Sequence, residues 1–125
     1  MTTKCILIID EEKNQSTTIK AALEKKESWL VLIAASGKEG SLVVQSRPLD
    51  GILVDLSISE IDKSVLFNTL QHSPDTQQIP IILLTTKVQK INLNQFVNLN
   101  VAGIISKPLE FLKLAEQVAK ILDWL

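Results

Sequence analysis

The sequence has a single cysteine, Cys5, so an internal disulfide is excluded and a reducing compartment is the natural setting. Placed inside the apolar run "CILII", that thiol reads as a small buried hydrophobe. The single histidine, His72, falls near the end of a helical segment and is assigned no role. No apolar run approaches the roughly 20 residues needed to cross a bilayer. The start "MTTKCILIIDEE" has too short an apolar segment, ended too soon by acids, for a secretory signal. An excess of one charge sign is also missing: 13 Lys and Arg stand against 14 Asp and Glu, mixed along the chain. The net charge of −1 gives no electrostatic case for nucleic acid or an anionic membrane surface. Repeats, linkers and low-complexity tracts are absent, so residues 1–125 read as one cytoplasmic domain with a single substantial core.

Short apolar runs are what the chain does have. "CILII" (5–9), "LVLIAA" (30–35), "GILV" (51–54) and "IPIILL" (79–84) are joined by a weaker "VAGII" (101–105). They are continuous rather than alternating, the pattern of strands covered on both faces of a parallel sheet. Between them the spacing predicts helices over 14–27, 37–46, 65–72 and 109–124, with a marginal one over 86–99. Ser64 is expected to cap the third, with Val65, Leu66 and Leu70 facing inward. Leu112, Ala115, Val118, Ala119 and Leu122 make the stripe of the last, and Asn100 suits the left-handed end of 86–99. Five βα units predict an α/β fold, a doubly wound (βα)5 five-stranded parallel sheet with right-handed crossovers.

In such sheets ligands bind beyond the carboxyl ends of the strands, where the strand order reverses. Asp10, Glu11 and Glu12 follow the first strand, Asp55 the third, Thr85 and Thr86 the fourth, and Lys107 with Pro108 the fifth. Taken singly, an acid there is usually a turn or cap residue, Thr85 an N-cap, and Lys107 a solvated turn lysine. Together they form a coherent set. Gathered carboxylates repel unless a cation joins them, and a hard cation such as Mg²⁺ suits oxygen ligands. A lysine and a hydroxyl beside them suit phosphoryl oxygens. The set predicts a phosphoryl acceptor, with Asp55 as nucleophile, Mg²⁺ on Asp10, Glu11 and Asp55, and Lys107 and Thr85 stabilising the transferred group.

The pieces "ILIIDEE", "DGILVDLSIS", "IPIILLTT" and "GIISKPL" stand in an order and spacing that resembles the receiver domain of two-component response regulators over the whole chain. The resemblance implies the flavodoxin-like strand order 2-1-3-4-5. It implies that Asp55 accepts phosphate from a histidine kinase or histidine phosphotransfer protein, without the chain being an enzyme on external substrates. It places Asp10 and Glu11 in an acidic Mg²⁺ pocket with the backbone carbonyl of Ser57, and makes Thr85 the switching hydroxyl and Lys107 its ion partner. It also implies a cis peptide bond before Pro108. The output surface would be 86–99, strand 101–105 and helix 109–124, with Lys87, Lys90, Ile91 and Ile104 exposed. A downstream protein partner is implied without being identified, and a homodimer through that face is compatible with the family. The chain reads as a stand-alone regulator of chemotaxis type or a receiver excised from a longer protein.

Several positions depart from the family pattern. Glu11 stands where Asp is commoner, Ser59 replaces a usual proline, Lys63 a usual glycine, and Thr86 a small residue. Ile104 occupies a position usually aromatic; it is β-branched and stiff, so the common threonine-to-aromatic relay cannot operate in its usual form. These departures keep a second reading in view, a receiver-like interaction module that docks a partner whatever its phosphorylation. A metal-dependent phosphohydrolase is disfavoured, because Ser57 stands where such enzymes place a second acid, two residues after the nucleophile.

Overall fold

A computed structural model describes residues 3–26, 28–86, 91 and 93–124. Five strands, β1 (Lys4–Ile9), β2 (Trp29–Ala34), β3 (Gly51–Asp55), β4 (Ile81–Thr85) and β5 (Val101–Ser106), form one sheet in the order β2-β1-β3-β4-β5. All four pairings are parallel. Five α-helices are described: α1 (Lys13–Leu23), α2 (Gly37–Ser46), α3 (Glu60–Gln71), the single turn α4 (Pro74–Gln77) and α5 (Leu114–Ile121).

The continuous apolar runs are explained by two cores, one on each face of the sheet. Leu7, Ile9, Ile52 and Val54 share one with Val44, Leu66, Phe67 and Leu70, beneath α2 and α3. Their neighbours Ile6, Ile8, Leu53, Ile82 and Leu84 share the other with Ile19, Leu23, Leu114 and Val118, beneath α1 and α5. Successive strand residues point to opposite faces, and here both faces are dry. Each fully buried Ile or Leu contributes about 1.5–3 kcal/mol over its exposed state.

Local chemistry sets where helices start. Glu12 caps α1 by accepting the N–H groups of Asn14 and Gln15, and Ser36 caps α2 through the N–H of Glu39. The third helix begins at Ser59, not Ser64: Ser59 Oγ accepts the N–H of Asp62, and Ser64 lies inside the helix. Its first turn, Glu60–Ile61–Asp62, carries an exposed Ile61, so no apolar period marks it. Leu66 and Leu70 face inward as expected, while Val65 is partly solvent-exposed. The α2 N-terminus rests directly on α3: the Gly37 N–H donates to Asp62 Oδ1 at 2.8 Å, and a Cβ at Gly37 would overlap the Asp62 carbonyl.

Three further expectations are corrected. In 86–99 the described residues hold only a 3-10 turn, Leu93–Phe96, and Thr86 and residues 97–99 are not helical. Asparagines and β-branched residues are mediocre helix formers, and the segment is anchored instead by Phe96 packing edge-on against Phe67 at 5.1 Å. The left-handed residue is Asn98 (φ 64°), not Asn100, whose side chain donates to the Gln78 carbonyl. The last helix is shorter than 109–124, and Leu112, ahead of it, is 88 % exposed rather than part of its stripe.

At the amino edge of the sheet Trp29 and Trp124 meet edge to face, 5.3 Å between centroids, with the Lys4 ammonium 5.0 Å from the Trp124 ring. No helix among the described residues is long and apolar enough to cross a membrane.

Candidate functional site

The ladder continues one residue past the strands at the carboxyl edge. Asp10 N–H donates to the Ala34 carbonyl (3.1 Å), Leu56 N–H to that of Leu84 (2.9 Å), and Lys107 N–H to that of Thr85 (2.8 Å). These bonds fix the backbone at Asp10, directly after Asp55 and at Lys107 before any side chain is considered. The strand order reverses between β1 and β3, so Asp10 and Asp55 stand side by side at the switch point.

Asp55 is fully buried, and four donors converge on its carboxylate. Lys107 Nζ and Gln15 Nε2 each lie 2.5 Å from Oδ2. Ser57 gives Oδ1 both its N–H (2.9 Å) and its hydroxyl (2.7 Å). Lys107 reaches this point from β5, across β4, and the peptide bond between it and Pro108 is cis. Burial pushes the Asp55 carboxyl up, but Lys107, Ser57 and Gln15 outweigh it and hold it below the usual aspartate range.

Asp10 is shifted the other way. It is 2 % exposed, and burial raises its carboxyl above the usual range, against hydrogen bonds from Gln15 and the Glu12 N–H. The neighbouring Asp55 charge raises it further, while Lys107 opposes. Two adjacent carboxyls thus have their proton affinities driven apart.

The remaining predicted site residues fall into place unevenly. Glu11 is exposed and turns away from this pair: its Oε1 accepts the N–H of Ser59 at 3.0 Å. Proline at 59 would offer no such N–H, so the departure at 59 explains where Glu11 sits. Lys63, where a glycine is usual, spans the same loop, its Nζ on the Leu56 carbonyl (3.2 Å) and on Glu60 (2.7 Å). Thr85 is buried at the end of β4, its hydroxyl donating to the Thr86 carbonyl at 3.1 Å. Ile104 lies on β5, 50 % exposed, and Ile91 is half-buried against the α2–α3 core rather than exposed. Lys87 and Lys90 lie outside the described residues.

Sequence reasoning missed Gln15. Its Nε2 donates to Asp10 Oδ2 at 2.7 Å as well as to Asp55 Oδ2, bridging the pair. The signal was its place three residues after the capping Glu12, in the first turn of a helix that starts beside Asp10. The oxygen donors of Asp10 and Asp55, converging on one point, suit a hard divalent cation. Among the described residues no group of three or more His, Cys, Asp and Glu is gathered to hold a metal, because Glu11 is engaged elsewhere.

Known proteins share this fold. The PhoB phosphate regulon regulator of Pseudomonas aeruginosa is 32 % identical over 108 residues, covering 86 % of this chain and 47 % of PhoB. The signal receiver domain of a histidine kinase from Syntrophus aciditrophicus superposes with a TM-score of 0.78 at 25 % identity, covering 98 % of this chain and 92 % of that one. The receiver domain of the sensor histidine kinase PA1611 of P. aeruginosa, solved with a magnesium ion in its active-site cleft, gives a TM-score of 0.79 at 18 % identity, over 98 % and 99 % of the two chains. The chain spans about a quarter to a half of the length of the longer curated relatives that it matches. The family pattern described as the response regulator receiver domain matches residues 6–119. The chain therefore belongs to the response regulator receiver domain family of two-component signalling.

Proposed function

We propose that Asp55 is the phosphoryl acceptor of this receiver domain and that residues 1–125 form one such unit. The observation that carries the reading is the buried Asp55 carboxylate, held ionised by Lys107 at the switch point of the sheet. In the reaction an Asp55 carboxylate oxygen attacks phosphorus, a new O–P bond forms, and the bond to the donor breaks, its electron pair leaving with the donor. A histidine kinase or histidine phosphotransfer protein supplies the phosphoryl group as phosphohistidine. Ser57 holds Oδ1 and thereby orients Oδ2. The Lys107 ammonium, already on Oδ2, neutralises charge on the incoming oxygens, and the Thr85 hydroxyl turns from the Thr86 carbonyl to the phosphoryl group. Asp10 and Asp55 would hold Mg²⁺, with the Ser57 carbonyl, and with Glu11 once it releases the Ser59 N–H. Bound there, Mg²⁺ supplies charge neutralisation on the transferred oxygens. Phosphorylation is relayed through the face containing β5 and α5, on which Ile104 presents an aliphatic surface in place of an aromatic switch. Proteins downstream recognise that face.

The test is intact mass after incubation with acetyl phosphate, with and without Mg²⁺, on wild type and Asp55→Asn. A Mg²⁺-dependent gain of one phosphoryl group that the variant lacks is the expected result. No gain with acetyl phosphate or with phosphohistidine donors would overturn it in favour of a phosphorylation-independent interaction module.

A further inference from the structure

Gln15 is held at both ends. Its backbone N–H is accepted by Glu12 Oε2 at 2.7 Å, and its side-chain amide reaches the acid pair. In an ordinary capping box a Gln at this position turns back to the N–H of the capping residue. Here the Glu12 N–H is already taken by Asp10 Oδ1 at 2.9 Å, which leaves the Gln15 amide to serve the carboxylates. The amide has two N–H groups and faces two carboxylate oxygens, so its orientation is fixed by chemistry: the carbonyl end would meet negative charge from both sides. A neutral donor pair thus occupies the point on which Asp10 and Asp55 converge.

We propose that the Gln15 carboxamide is an internal competitor of the divalent cation, a positioning residue that sets how much Mg²⁺ the acid pocket requires. The inference rests on the reading that Asp10 and Asp55 hold that cation. Without metal, Gln15 keeps the two carboxylates together by satisfying one oxygen of each. A cation that binds both must displace these bonds, so its affinity is lowered by their loss. The competition is specific to the side chain at 15: an apolar residue of the same length removes the competitor, and a lysine strengthens it.

The experiment is calorimetric titration of the folded protein with MgCl₂, for wild type, Gln15→Met and Gln15→Lys, alongside thermal melts in EDTA and in Mg²⁺. The expected order of affinity is Met, then Gln, then Lys, with Gln15→Met tighter than wild type by about tenfold, the equivalent of one charge-assisted hydrogen bond. Gln15→Met should also melt lower than wild type in EDTA and gain more from Mg²⁺, a readout independent of phosphorylation. If Gln15→Met fails to fold in EDTA, Gln15→Lys still decides, since it should fold without metal and bind Mg²⁺ more weakly than wild type. Equal affinities in all three would overturn the competition and leave the cation site standing. Weaker binding by Gln15→Met together with Gln15→Lys would overturn it by making the Gln15 carbonyl a ligand. Binding by none of the three would overturn the cation reading itself, and this inference with it.

Discussion

Lys107 Nζ lies 2.5 Å from Asp55 Oδ2, an ion pair that crosses β4 and joins β5 to β3, with the carboxylate 1 % and the lysine 19 % exposed. Such a pair is a weak source of net stability, but breaking it from one side is costly, because a buried charge is left behind.

Lys107→Met should therefore destabilise the fold by about 3 kcal/mol at neutral pH without added cation, read as a lower urea midpoint. The Asp55→Asn, Lys107→Met double variant should recover much of that loss, since no uncompensated charge remains. A single variant that unfolds at the wild-type midpoint would show that Ser57 and Gln15 suffice to hold Asp55.

The acid limb of stability in EDTA follows from the opposed shifts of the two carboxyls. Asp55 is lowered below its ordinary 3.8, so its contribution is present above 3.8 and is lost as pH falls through the folded value. Asp10 is raised above 3.8, so its contribution is present below 3.8 and is lost as pH rises through the folded value. Ionised Asp10 thus opposes folding at neutral pH. Asp10→Asn should raise the urea midpoint at pH 7, with the gain fading as the pH is brought below 3.8. A gain that persists unchanged in acid would point to packing rather than charge.

Ser59→Pro tests the hold on Glu11. The backbone at Ser59 (φ −62°) already suits proline, so the variant should fold. It loses the hydroxyl cap of α3, worth about 1 kcal/mol, partly offset by about 0.4–1 kcal/mol from a stiffer unfolded chain. It also loses the N–H that holds Glu11. Mg²⁺ affinity by calorimetry should rise as Glu11 is freed towards Asp10 and Asp55; an unchanged affinity would place Glu11 outside the cation shell.

Gly37→Ala should destabilise by about 1–3 kcal/mol, measured by urea unfolding, because the new Cβ overlaps the Asp62 carbonyl and forces α2 from α3. A neutral result would mean that the two helices slide apart at no cost.

The strands were readable because their burial is two-sided: "CILII" and "IPIILL" are continuous, short and rich in isoleucine, as strands of a covered parallel sheet are. Asp10, Asp55 and Lys107 were readable as a set because topology alone brings strand ends together. What escaped depended on side-chain reach and on solvated turns. Glu11 belongs by position with Asp10 yet is drawn off by an N–H that exists only because residue 59 is not proline. Gln15 looked like one more polar residue on a helix, since nothing local says that its amide rather than its backbone neighbour would be free. The first turn of α3 carries no apolar period, and the turn ahead of α5 carries a misleading one in Leu112. The short α4 was signalled by "SPDT", a serine cap followed by proline at the first helical position, but four residues are too few for periodicity.

The Trp29–Trp124 contact has a practical corollary. The sequence has two tryptophans and no tyrosine, and both indoles sit together at the start of β2 and just after α5, at the edge of the sheet opposite Asp55. Intrinsic fluorescence is consequently a local gauge of whether the carboxyl-terminal segment is docked. It should be nearly blind to cation or phosphoryl chemistry, so melts followed at the indole emission report unfolding without contamination from ligand quenching. A signal from the face containing β5 calls for an indole placed there, and the exposed side chain of Ile104 offers a position where one can be introduced without disturbing either core.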